Sequence, residues 1–262
     1  MIVATPYFGD ADGRYRPLFD RWIEAFRQVK TGAKLLVLTD ELGPITGWPT
    51  LRIAIRRLAE VVRPNEPFDL KGALVCHALV EFAGEAILML DNDALLRRDP
   101  VRALTWAADV PLAMPRDSGA ANINTPYLVP PYRHIAKRSA GIIYFGASQP
   151  ARRAAIIADY CRAWHELLPL HTATGRPTPS AEQHELLEQH AWTLVAHRWG
   201  MPYLPDAFNW PTHCYGPNPD AIVEHYYGWS KWGRPKHRAV NARLTIPAVL
   251  RARALFTAGV NA

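Results

Sequence analysis

The sequence predicts an α/β fold, a mostly parallel sheet with helices on both faces. Two observations carry this. Short apolar runs alternate with segments of helical spacing through the first 115 residues, and parallel strands need such crossover connections. Two of the runs, KLLVLT at 34–39 and AILML at 86–90, stop directly on acidic residues, Asp40 and Asp91. In open parallel sheets ligands bind outside the carboxyl ends of the strands, where these carboxylates fall.

Taken in order, Ile2 to Thr5 is a strand that Pro6 ends. Residues 17–29 place Leu18, Trp22, Ile23, Phe26 and Val29 at helical spacing. The strand at 34–39 follows, then a strand over 51–55. Asp69 can cap a helix over 70–83 with Leu70, Leu74, Ala78 and Phe82 along one face. Residues 86–90 form the most apolar short run of the chain and lead into Asp91-Asn92-Asp93. Asp99-Pro100 reads as the N-cap and first-turn proline of another helix. Residues 115–138, rich in Pro, Asn and Arg, break the rhythm as an irregular excursion. Strand returns over 139–146 and helix over 151–168, then a Pro-rich loop spans 169–180 and a helix 181–197. The remainder is turn-rich, fit to fold back over a site.

Composition narrows the function classes. The chain has 262 residues, 49% hydrophobic and 21% charged, enough for a substantial core. The net charge of +6 suits an anionic partner such as a nucleotide diphosphate. No dense basic run with interleaved aromatics precedes the C-terminal stretch, so a nucleic-acid partner is not expected. The three cysteines, Cys76, Cys161 and Cys214, are scattered and pair into no metal motif; they fit buried thiols in a reducing compartment. No signal-like or membrane-spanning run is present in the sequence, and a cytoplasmic protein is expected.

Two constellations carry chemistry. Asp91 and Asp93, one residue apart on a chain leaving a strand, can both turn to one divalent cation, Mg²⁺ or Mn²⁺, that bridges to diphosphate oxygens. Phosphatases with an aspartyl nucleophile share a strand followed by D-x-D. Their pair usually closes the first strand, with Thr or Val after it, whereas here some 85 residues of α/β pattern precede the strand that carries the pair and Ala94 follows. The second constellation is His225-Tyr226-Tyr227-Gly228-Trp229-Ser230-Lys231, an H-x-x-G-x-x-K pattern. His225 can add a nitrogen ligand to the cation, Gly228 lets backbone approach a phosphate, and Lys231 can place a positive charge where leaving-group charge develops.

Together these motifs resemble the retaining GT-A glycosyltransferases of family 8, the glycogenin and bacterial galactosyltransferase type. The resemblance implies a GT-A fold, a nucleotide-sugar donor (a UDP-sugar above all), and Mn²⁺ or Mg²⁺ on Asp91, Asp93 and His225, with Lys231 on the diphosphate. The proline that follows the family's lysine is absent, since Trp232 stands there. Ser139-Ala140-Gly141-Ile142-Ile143 is similar to the family's N-[SA]-G-hydrophobic strand, without the Asn. Ser180-Ala181-Glu182-Gln183 resembles its acidic-Gln segment, which would set Gln183 or Glu182 beside the anomeric carbon. The same residues also read as a capping box on the 181–197 helix.

In this frame residues 1–115 form a nucleotide-binding half and 116–246 an acceptor and metal-completing half of one GT-A domain, ending in a basic segment, 247–262. Thr5, Pro6, Tyr7, Asp40, Lys71 and Asn92 are further nucleotide-contact candidates, and Asn209 and Trp210 candidates for the acceptor side. The expected acceptor is a saccharide or glycolipid. The C-terminal Arg and Lys residues read first as a solvated basic surface and second as a peripheral contact with an anionic membrane. An inverting GT-A enzyme and a non-catalytic nucleotide-sugar-binding protein remain alternatives, with the aspartyl phosphatase more distant.

Overall fold

The computed structural model describes residues 1–7, 16–39, 51–54, 70–117, 128, 131–147, 150–172 and 181–226. The first half follows the expected alternation: β1 (Ile2–Tyr7), α1 (Arg16–Val29), β2 (Lys34–Thr39), β3 (Leu51–Ala54), α2 (Leu70–Glu81), β4 (Ile87–Leu90), β5 (Ala94–Leu96) and the single turn α3 (Pro100–Ala103). The second half contributes β6 (Met114–Pro115), β7 (Ile142–Phe145), α4 (Pro150–Thr172), α5 (Ala181–Arg198), β8 (Tyr203–Leu204), β9 (Trp210–Pro211), α6 (Thr212–Tyr215) and β10 (Val223–His225). Asp99 caps α3 as expected, its carboxylate accepting from the Val101 amide at 3.1 Å.

The main sheet has the order β3-β2-β1-β4-β7, parallel except for β7, which runs against β4. Successive strand residues face opposite sides, and the core divides accordingly. Ile2, Ala4, Leu36, Leu38, Ile87 and Met89 face α2, α4 and α5. Val3, Leu35, Val37, Leu88 and Leu90 face α1, which buries Leu18, Phe19, Trp22, Ile23, Ala25 and Phe26. The expected apolar stripe of α1 is therefore its core face. On α2 the described buried positions are Gly72, Val75, Cys76, Ala78 and Leu79. Of the expected stripe, Ala78 is buried and Phe82 packs against the core; Val75, Cys76 and Leu79 are buried beside it because α2 is covered by α4 as well as by the sheet. At Gly72 a Cβ would stand 2.1 Å from the buried Tyr160 hydroxyl, so glycine is what lets these two helices approach.

Two proline expectations are corrected. Strand β1 runs through Pro6 to Tyr7, paired there with β2 alone. Its last pair with β4 is Ala4↔Met89, so Pro6 sits where one side of the strand is open, a position that tolerates a missing N–H. Helix α4 likewise continues through Pro169 to Thr172. The proline falls in its last turn, where one hydrogen bond is lost, while Leu168 and Leu170 on either side pack onto the core. Among the described residues, no helix is long and apolar enough to cross a membrane.

Candidate active site

The chain leaves β1 for β2 on one side and returns to β4 on the other, so the carboxyl ends of β1 and β4 flank the topological switch point of the sheet. The crevice begins where the β1–β4 ladder stops, at Ala4↔Met89. Across it the Thr5 hydroxyl donates to Asn92 Oδ1 at 2.8 Å.

Asp91-Asn92-Asp93-Ala94 is a tight turn closed by the Ala94 N–H on the Asp91 carbonyl, 2.9 Å. The Asp91 N–H donates to the Gly141 carbonyl at 2.8 Å, tying the turn to the segment entering β7. Strand β5 then pairs antiparallel with β10 and sets His225 opposite Ala94. The Tyr226 N–H donates to the Asp93 carbonyl at 2.8 Å. Residues 132 positions apart in sequence thus become neighbours: His225 Nε2 stands 3.5 Å from Asp93 Oδ1. Both side chains are buried, while Asp91 and Asn92 are half-buried.

Gly141 makes room for this convergence. A Cβ there would lie 2.7 Å from His225 Cε1, 3.1 Å from His225 Nε2 and 3.2 Å from Asp91 Oδ2. The imidazole and the Asp91 carboxylate therefore flank one small space that any other side chain would enter. Gly141 lies in the Ser139–Ile143 segment that is similar to the family's strand.

The orientation of the imidazole is fixed by a residue whose role the sequence did not signal. His225 Nδ1 and Asn209 Oδ1 are 2.7 Å apart, and Asn209 Nδ2 donates to the Arg116 carbonyl at 2.8 Å. The second bond settles which way the amide points, so Nδ1 carries the proton and, in the neutral ring, Nε2 presents its lone pair towards Asp93. Such outer-shell partners orient metal-binding histidines. The partner residue Trp210 pairs with Glu224 and so faces away from His225; its indole N–H donates to the Gly216 carbonyl at 2.8 Å.

On that opposite side of β10 a clamp holds the strand. Arg97 donates to Glu224 Oε2 at 2.7 Å and to the Tyr226 hydroxyl at 3.0 Å, and that hydroxyl donates to Glu224 at 3.0 Å. Burial would lower the Arg97 pKa, but the bonds to Glu224 and Tyr226 outweigh it and hold it above its ordinary value.

Does this arrangement fit a divalent cation? Among the described residues no three His, Cys, Asp or Glu side chains close on one point as a self-sufficient cage. His225 stands 3.5 Å from Asp93, with Asp91 on the other flank of the space before Gly141, an open arrangement instead. Two ligands each about 2.1–2.2 Å from one cation and roughly 110° apart stand about 3.5 Å from each other, which is the His225–Asp93 separation. Mg²⁺ and its analogues commonly take only one or two carboxylates from protein and fill the remaining positions with water and substrate phosphates. The donor set and the space before Gly141 fit such an ion.

The other candidates divide. Thr5, Pro6 and Tyr7 are buried, and the Tyr7 ring stacks on Phe19 with centroids 4.2 Å apart. Any contact of Tyr7 with a ligand would therefore run through its backbone. Lys71 lies in the first turn of α2, and Glu182 and Gln183 in the first turn of α5. Asp40, Gly228, Lys231 and the basic segment 247–262 lie outside the described residues. Beside the site, Gln189 of α5 donates to Asp117 at 3.0 Å, and burial pushes the neighbouring Lys137 amine down in pKa, with Asp117 opposing.

A mostly parallel sheet with helices on both faces, with an acidic turn at its switch point and a small second sheet carrying a histidine to it, is the GT-A type of glycosyltransferase fold. The galactosyltransferase LgtC, in complex with donor and acceptor sugar analogs, superposes at a TM-score of 0.52 and 15% identity, over 98% of this chain and 97% of that one. An active-site mutant of LgtC gives 0.53 and 14%, over 92% and 95%. The glycosyltransferase GlyE of Streptococcus pneumoniae TIGR4 gives 0.53 and 11%, over 95% of this chain and 62% of that one. At these identities the likeness is one of fold. Neither protein-family models nor curated proteins give a match.

The Asn209 arrangement makes a first prediction. Asn209→Ala frees the imidazole to rotate, and Mn²⁺ affinity is expected to fall about 10–100-fold. Titration of Mn²⁺ by the loss of its free-ion EPR signal reads this; unchanged affinity would remove Asn209 from the site.

Proposed function

We propose that this chain is a glycosyltransferase that moves a sugar from a nucleotide-diphosphate donor, a UDP-sugar, to a hydroxyl of a saccharide or glycolipid acceptor. The observation that carries the reading is that His225 stands 3.5 Å from Asp93 and, with Asp91, borders the space kept open by Gly141, at the switch point of the sheet. That LgtC was crystallised with donor and acceptor sugar analogs supports a donor and an acceptor site on this fold.

Asp91, Asp93 and His225 would hold Mn²⁺ or Mg²⁺, whose charge would offset that of the departing diphosphate. The residues themselves do the rest. Asn209 keeps the imidazole turned to the crevice, and the half-buried Asn92 can donate its amide hydrogens to ligand oxygens because its Oδ1 is taken by Thr5. Lys231 is assigned to the diphosphate and Gly228 to close backbone approach; Thr5, Pro6, Tyr7, Asp40 and Lys71 border the nucleotide. Glu182 or Gln183 would stabilise positive charge growing at the anomeric carbon. With retention of configuration, the acceptor proton passes to the departing diphosphate oxygen on the same face, so no strong side-chain base is required.

The test is calorimetric titration with UDP, GDP and CMP, each with Mn²⁺ and again with excess chelator. UDP should bind in the micromolar range, about −8 kcal/mol, and lose most of that affinity to the chelator. If no nucleotide binds more tightly with metal, the transferase reading is wrong. NMR of the product's anomeric configuration then decides between retention and inversion.

A further inference from the structure

We propose that Thr5 is a positioning residue for the carboxylate pair, acting through Asn92; this rests on the transferase reading above. The Asp91–Ala94 turn carries both carboxylates, and hydrogen bonds on several sides pin it. Three are made by backbone: Asp91 N–H to the Gly141 carbonyl, Ala94 N–H to the Asp91 carbonyl, and Tyr226 N–H to the Asp93 carbonyl. These would form with almost any side chains. The Trp22 indole N–H donates to the Ala94 carbonyl at 3.0 Å, at the turn's exit, and the 2.8 Å bond from the Thr5 hydroxyl to Asn92 Oδ1 holds its corner and depends on the identity of both residues.

Its place gives it leverage. Asn92 is the corner residue between the two aspartates, so a rotation of its peptide swings both carboxylates at once. Thr5 is fully buried on β1, one residue beyond the last β1–β4 pair, where no ladder bond holds the two strands together. The hydroxyl–amide bond therefore takes over where the ladder stops and fixes the turn against the central strand of the sheet. Two like charges on one short turn repel and would otherwise open it. The bond also settles the amide orientation: Oδ1 accepts from Thr5, which leaves Nδ2 as the end available to a ligand. The Thr5 hydroxyl thus supports the site from below.

The experiment compares Thr5→Val, which keeps the shape and removes the hydroxyl, with Thr5→Ser, which keeps the hydroxyl. Mn²⁺ binding is measured by EPR without nucleotide, and Tm by calorimetry. Thr5→Val should bind Mn²⁺ about 10-fold or more weakly, as loss of a supporting bond behind metal ligands does, with Tm close to wild type. Thr5→Ser should recover most of the affinity. If wild type and Thr5→Val bind Mn²⁺ alike, or if serine restores nothing in a folded protein, the positioning role is refuted while the metal site stands. If wild type itself takes no Mn²⁺, the metal site falls and the role of Thr5 with it.

Discussion

Replacing Gly141 with alanine is expected to abolish metal-dependent nucleotide binding while leaving the fold in place. The added Cβ meets His225 Cε1 at 2.7 Å, a distance that carbon atoms do not sustain, so something must move. Backbone strain is not the cause, since Gly141 is outside the positive-φ region where only glycine rests easily. Nor can the imidazole simply retreat. Its Nδ1 is bonded to Asn209 at 2.7 Å, and Asn209 is bonded in turn to the Arg116 carbonyl. The Asp91 side chain on the other flank would be only 3.2 Å from the new atom. The displacement needed is some tenths of an ångström to one ångström, enough at a reacting centre to reduce turnover about 100-fold. Calorimetry with UDP and Mn²⁺, with Tm measured alongside, reads the result. Normal affinity in a folded Gly141→Ala variant would show that the space between His225 and Asp91 is not the cation site.

The contrast between Gly141 and Asn209 shows which parts of the site were legible in the sequence. Strand β4 announced itself as an unbroken apolar run, because a strand buried on both faces needs apolar residues at every position. It ended on Asp91 because the chain there meets the crevice. His225 and Gly141 had local context too, a strand before the one and a strand after the other. Asn209 had none. Its function is a pair of hydrogen bonds to His225 and Arg116, the latter 93 positions away, and neither leaves a periodic trace. Strand β5 was missed for the same reason. Three residues, Ala94–Leu96, are too few for periodicity, and they become a strand only because β10 arrives from the far end of the chain. The Pro6 and Pro169 boundaries failed differently: a local rule about proline gave way to tertiary pairing and packing that tolerate one missing donor.

Arg153→Met should be the most destabilising change in the chain's own scaffold, because Arg153 joins the two segments that deliver the acidic turn and Gly141. The side chain is 2% exposed. Its Nε donates to the Gly146 carbonyl just beyond β7 at 3.0 Å, and Nη1 donates to the Phe82 carbonyl after α2 at 2.9 Å. Nη2 donates to the carbonyls of Gly146 and Glu85, the latter in the turn that starts β4. Burial pulls the guanidinium pKa down, yet its ordinary value is so high that the group stays charged near neutrality. Methionine would fill much of the volume but leave the buried Gly146 carbonyl and the part-buried Phe82 and Glu85 carbonyls without these donors. A cost of about 3 kcal/mol or more follows, seen as a fall in Tm of roughly 6–12 °C. Lysine should rescue little, having no planar fork to reach carbonyls on two segments. Because the damage is to stability rather than to the cradle, the folded fraction of Arg153→Met at low temperature should still bind UDP with Mn²⁺. A Tm within 2 °C of wild type would mean that these carbonyls find water or other donors, and that the β4 and β7 segments are held by their ladder alone.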